Sequence, residues 1–197
     1  MNTIIKESLA KSMSYHTYRK LVSDLLDEGK STGPNQSEDL LNYSSLNDAR
    51  MNRLDKKTKL TEQTVSALKS TKKNQTWLLI TEGWCGDAAQ ITPVIHTMSL
   101  ETDKVALKIV LRDENEDLMN QFLTNGGKAI PKLVVLDENE NVVSSWGPRP
   151  SIATKMVNDY KEKHGGLDNN FKKELQVWYN KNKGENIQED IVAFLEQ

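Results

Sequence analysis

The chain predicts an α/β fold, a mixed central sheet with helices on both faces, carrying further helical extensions at its N- and C-terminal ends. Three observations predict it. Between residues 61 and 163, short apolar runs of strand length alternate with helical patterns. Two of the runs, "KLVVLD" and "NVVSSW", flank the turn-rich "ENEN" and read as a hairpin. The stretches on either side show the 3.6-residue apolar period of helices packed by one face.

Residues 1–60 read as a helical extension packed on the core. Tyr18, Leu21, Val22 and Leu25 follow the i, i+3, i+4, i+7 spacing of one buried stripe. "EGKSTGPNQS" breaks the pattern with two glycines and a proline. Ser37 then offers an N-cap for a second helix with Leu40, Leu41 and Leu46 as its apolar residues. Arg50 and Arg53 share a face of that helix and read first as a solvated pair, with service to a partner or an anion together with Arg149 as the alternative. "GKST" resembles a phosphate loop only superficially. Asp24 stands where that loop needs its first glycine, and a helical pattern precedes it instead of a strand.

Residues 61–163 carry the alternating pattern. Thr61 caps a helix through Val65 and Leu68, and "TWLLIT" reads as a buried strand. A helix starts near Cys85, and "KVALKIVL" is the next strand. "ENEDLMNQFLTNGG" reads as a helix ended by Gly126 or Gly127. The hairpin follows, then the helix "RPSIATKMVNDYKEK". Strands alternating with helices predict parallel pairing, and the hairpin adds an antiparallel pair. Residues 164–197 form the second extension. Phe171, Leu175, Trp178 and Tyr179 make an apolar stripe read as core, and "GENIQEDIVAFLEQ" is a last helix.

Composition narrows the function classes. Of 197 residues, 37% are hydrophobic and 27% charged, enough apolar surface for a core. The net charge of −2 gives no footprint for nucleic acid or an anionic membrane. "MNTIIKESLAKSMSYHTYRK" lacks the apolar stretch of a secretory signal, and no run approaches a membrane span. The single cysteine excludes an internal disulfide. A cytoplasmic setting is therefore expected, with no nucleic-acid or membrane partner. His16, His96 and His164 show no metal-ligand spacing with one another or with Cys85, so neither a metal nor a cofactor is expected.

The chemistry concentrates in "TEGWCGDAAQITP", Thr81 to Pro93. Trp84, Cys85 and Gly86 match W-C-G-P-C, with Ala88 where the second cysteine would stand. Pro93 follows Cys85 by eight residues, "AIP" ending at Pro131 precedes a strand, and Trp146–Gly147 closes the last strand. In these four features the chain resembles the thioredoxin-like superfamily over about 100 residues. "WCGDAAQ", "WGPRP" and the terminal helices resemble in particular a bacterial single-cysteine group. The resemblance implies a thioredoxin-like fold and a cis bond before Pro131. It also implies a groove in which Ile130 and Pro131 meet an extended substrate beside Cys85. Leu79 occupies the position of the family's buried acid, which serves the second thiol missing here.

A cysteine at a helix start faces unpaired N–H groups and the positive end of the dipole, which favour the thiolate. Asp87 opposes this with a like charge and competes for the same N–H groups. Cys85 is thus expected to be less acidic than a dithiol nucleophile, yet still below the free value. Arg149 follows the strand-end "WGP", beside the active-site helix in this fold. It either holds a thiolate, carboxylate or anionic ligand, or clasps Asp87. Two functions stay open. In the first, Cys85 is the catalytic thiol of a monothiol exchange protein, supported by Trp84, Gly86, Asp87 and Arg149. With no resolving cysteine in the chain, a client protein or low-molecular-weight thiol must complete the reaction. In the second, the chain is a non-catalytic binding or chaperone-like module.

Overall fold

The computed structural model describes residues 1–195. Four strands, β1 (Gln75–Thr81), β2 (Val105–Leu111), β3 (Lys132–Leu136) and β4 (Val142–Trp146), form a mixed sheet in the order β2-β1-β3-β4. β1 pairs parallel with β2 and antiparallel with β3, and β3 pairs antiparallel with β4. Side-chain alternation divides β1 between two cores. Trp77 and Leu79 enter one, Leu78 and Ile80 the other, and all four are fully buried. A strand covered on both faces requires an unbroken apolar run, which "WLLI" supplies.

The direction of β3 departs from the parallel pairing that alternation predicts. The helix between β2 and β3 is α6 (Glu116–Gln121), six residues instead of the longer one expected. At ~1.5 Å per residue it rises only ~9 Å, against roughly 23 Å for a seven-residue strand. It cannot return the chain to the edge where β2 began. Thr124 and Gly127 instead pair their backbones in a tight turn, and β3 enters from the edge where β1 ends, with Lys132 opposite Ile80.

α1 (Asn2–Lys11) and α6 cover one face, with Ile5, Leu118 and Met119 packed among Leu78, Ile80 and Val110. The larger core, on the other face, takes buried residues from α2 (Tyr15–Asp27), α3 (Glu38–Lys57), α4 (Glu62–Ser70), α5 (Gly86–Ser99), α7 (Ser151–His164), α8 (Asn169–Asn182) and α9 (Glu185–Leu195). Side chains of Ser14, Ser37, Thr61, Cys85 and Asp168 each accept an N–H of the first turn they cap. An oxygen cap of this kind is worth ~1 kcal/mol. Among the described residues, no helix is long and apolar enough to cross a membrane.

In α3 the buried stripe is not the leucines. Ser44, Asn47 and Met51 face inward, Leu40 and Leu41 are half-buried, and Leu46 is 55% exposed. Ser44 bonds Ser31 at 2.8 Å, and Asn47 Nδ2 donates to the Gly83 carbonyl at 2.9 Å. The loop after β1 presents a buried carbonyl that needs a donor. A polar stripe therefore docks the helix, and its leucines turn away from the core.

Candidate functional site

The site forms where β1 ends and α5 begins. Gly83 packs so tightly that an added Cβ would lie 3.2 Å from Val22 Cγ2. Glu82 is fully buried, accepting from Thr32 Oγ1 at 2.5 Å and from the Asp113 N–H at 3.0 Å. Trp84, Cys85 and Gly86 emerge half-buried, with the Arg112 guanidinium 4.7 Å over the Trp84 ring. Cys85 is the N-cap of α5, where Sγ accepts from the Ala88 N–H at 3.5 Å. Its S–H donates to the Ile130 carbonyl at 3.4 Å. The Ile130–Pro131 peptide bond is cis.

Asp87, in the first turn of α5, is clasped from two sides. Arg149 Nη2 lies 2.7 Å from Oδ2, and Tyr179 donates to Oδ1 at 3.0 Å. Of the alternatives open for Arg149, the structure shows the clasp. Burial raises the Asp87 carboxyl above its ordinary value, and Arg149 and Tyr179 pull it back. The same burial, and next the Asp87 charge, push the Cys85 thiol up to about 12. Backbone N–H groups of Ala88 and Asp87, with Arg149, lower it by less. The expectation that the helix end holds Cys85 below its free value is thus corrected. A desolvated sulfur beside a carboxylate outweighs two N–H groups and a shared guanidinium. At neutral pH Cys85 is a hydrogen-bond donor.

Over this floor lies a cleft of about 800 Å³. Leu40, Tyr43 and Leu46 of α3 form one wall. Leu167, Phe171 and Leu175, in and before α8, form the other. Gln176 ties α8 to α5 through Gln90 at 2.9 Å and the Gly86 carbonyl at 3.5 Å. Arg50 projects from α3 over Gly86, donating to Asn47 Oδ1 at 2.7 Å, while Arg53 donates to Asn180 at 2.6 Å. Arg50 and Arg53 are therefore engaged in neutral hydrogen bonds and not simply solvated. Of the residues expected at the site, Trp84, Cys85, Gly86, Asp87 and Arg149 all line the cleft. Ile130 and Pro131 lie beside Cys85 but are buried, outside the residues that line it.

A family model described as thioredoxin matches residues 33–161. The chain belongs to the thioredoxin-like family. A protein of unknown function from Pseudomonas aeruginosa has a similar structure, with TM-score 0.59 and 17% identity, over 88% of this chain and 96% of its own. An HIV epitope-scaffold is similar at TM-score 0.58 and 19% identity, with the same coverages. At these identities the likeness concerns the fold. Its coverage of this chain is more than residues 61–163 could fill, so it takes in part of the terminal helices. No curated protein matches the chain significantly.

Leu79, where the resemblance puts the family's buried acid, is fully buried. The chain still carries a buried acid, Glu82, but its oxygens meet Thr32 and Asp113 instead of the sulfur. Burial raises Glu82 to about 7. Tyr179, Gln176 and Asn47 complete the site, and none is expected from sequence in that role. Tyr179 reads only as one member of an apolar stripe, 92 residues from its partner Asp87. His96 stacks on Tyr15 with ring centroids 4.0 Å apart. No cluster of three metal-ligating side chains occurs among the described residues.

Proposed function

We propose that this thioredoxin-like protein is a non-catalytic binding module, in which the cleft over Cys85 receives a ligand and the thiol stays reduced. The observation that carries this reading is the occupied helix end. Asp87, fixed by Arg149 and Tyr179, stands beside a sulfur that already donates to Ile130. A nucleophile needs the thiolate, and each of these contacts favours the protonated form or spends the nearby positive charge on Asp87.

The half-buried position of Cys85 at the cleft favours one second reading, monothiol exchange. There the Cys85 thiolate attacks a client disulfide, forming a mixed disulfide and expelling the client's other sulfur as thiolate. An external low-molecular-weight thiolate of the cytoplasm then attacks that mixed disulfide. It leaves joined to the client sulfur, and Cys85 is released.

Iodoacetamide alkylation against pH separates the two, with Cys85→Ser as the control. The binding reading expects labelling at pH 7.5 at least ~100-fold slower than for a free thiol of pKa about 8.5, with the rate still rising above pH 9. Fast labelling with an inflection below pH 7.5 overturns it in favour of exchange. Mixed-disulfide trapping would then name the client.

A further inference from the structure

We propose that the cleft between α3 and α8 binds an amphipathic carboxylate, with its acyl chain along the leucine-lined walls and its carboxylate on Arg50. This inference rests on the binding reading and names the ligand class for the same site.

The walls supply the apolar half. Tyr43, Leu46 and Val177 line the cleft and are 43%, 55% and 49% exposed. They leave apolar surface on both walls open to solvent, which an apolar chain lying in the cleft would cover. The volume of about 800 Å³ lies within the range of roughly 300–1,000 Å³ common for small-molecule sites.

Charge supplies the other half. Among the described residues, the charged side chains lining the cleft are Arg50, Arg149, Lys172, Lys173 and a single carboxylate, Asp87. That carboxylate is already held by Arg149 and Tyr179. Arg50 has only the neutral Asn47 as hydrogen-bond partner, and no carboxylate within ion-pair distance among the described residues. It is half-buried, and burial together with neighbouring Arg53 lowers its pKa, the signature of an uncompensated cation. Its Nη1 lies 3.8 Å from where a Gly86 Cβ would be, so the charge sits directly over the site's floor. A guanidinium presents paired donors that match a carboxylate's two oxygens.

The ligand is an acyl carboxylate rather than an extended acidic peptide. A strand docking beside the cis proline needs the Ile130 backbone, but that carbonyl already accepts the Cys85 S–H. Ile130 is 5% exposed and outside the cleft lining. The cleft offers apolar surface and a guanidinium, and no open peptide edge at that point.

The test is calorimetric titration of the full chain with sodium dodecanoate below its micelle concentration. Dodecan-1-ol and an acidic, leucine-rich peptide serve as competitors. Saturable one-to-one dodecanoate binding is expected, with dodecan-1-ol at least ~10-fold weaker. Arg50→Ala should weaken it by at least ~10-fold. Leu46→Glu should block it by like charge at an exposed position that tolerates substitution, and circular dichroism reports that both variants remain folded. Absence of saturable binding overturns the inference. So does equal affinity for dodecan-1-ol, tighter binding of the peptide, or indifference to Arg50→Ala. The alkylation experiment fails separately. A reactive Cys85 with intact dodecanoate binding overturns only the non-catalytic reading, whereas an inert Cys85 without dodecanoate binding overturns only this one.

Discussion

The Asp87 carboxylate shares the start of α5 with the Cys85 sulfur, and Arg149 at 2.7 Å and Tyr179 at 3.0 Å hold it there. Asp87→Asn removes the second-largest cause of the raised thiol pKa and frees Arg149 to act on sulfur. Alkylation at pH 8 is expected to speed up at least ~10-fold, because the thiolate fraction rises by that factor for each unit the pKa falls. The same change leaves a mostly buried guanidinium without its carboxylate, and the urea midpoint should drop by the equivalent of ~2 kcal/mol. No gain in alkylation would show that burial alone sets the thiol. At this scale much was legible in the sequence. Cys85 caps its helix as its position before the "GDAA" turn implies, and Asp87 and Arg149 were candidates for each other. The acidity of the sulfur was not legible. It depends on how completely Ile130, 45 residues on, and the neighbouring helices exclude water.

Among the elements, the contact between the α2–α3 loop and the end of β1 centres on Glu82. Its folded pKa is about 7, raised first by burial, against an ordinary 4.5. A raised value means that the folded chain holds the proton longer. The stability from this group is fully present below about pH 4.5 and is lost as pH rises through about 7. Glu82→Gln keeps the shape and removes the titration. The wild type should therefore lose up to ~3 kcal/mol more than the variant between pH 5 and pH 8, as read by urea denaturation at each pH. Parallel curves would show that Glu82 stays ionised in the fold. Taking the difference cancels His96, whose pKa burial lowers and whose contribution runs the other way. The helical period of α3 was legible, but not which face docks. Leu40, Leu41 and Leu46 form the apolar choice by composition, yet Asn47 is chosen because the Gly83 carbonyl needs a donor. That need exists only once β1 and the loop are in place. Likewise α6 stops at Gln121 because residues 122–127 turn to feed β3, a tertiary demand that a helical pattern running to Gly126 does not register.

For the whole molecule, the alternation of strands and helices in residues 61–163 placed the central frame, since local period and turn chemistry determine it. How the two ends close over that frame depends on contacts spanning 90 residues or more, such as Gln176 to Gly86. Gly184, the joint between α8 and α9, governs that closure. Its φ of +81° is left-handed, and an added Cβ would lie 2.8 Å from Val94 Cγ2 in α5. Val94 is fully buried and β-branched, so it cannot swing aside. Gly184→Ala is expected to cost ~2–4 kcal/mol, about 1 from backbone conformation and the rest from overpacking. Gly29→Ala is the matched comparison, because Gly29 has the same sign of φ at +70° with nothing within 4 Å. It should cost only ~1 kcal/mol. Because α8 carries Gln176 and Tyr179 onto α5, displacing its C-terminal end loosens the cover over Cys85. Alkylation in native buffer should therefore accelerate in Gly184→Ala and not in Gly29→Ala. Acceleration in both variants in proportion to the stability each loses would mean that the thiol is reached only by global unfolding, and that α8 does not act as a local cover.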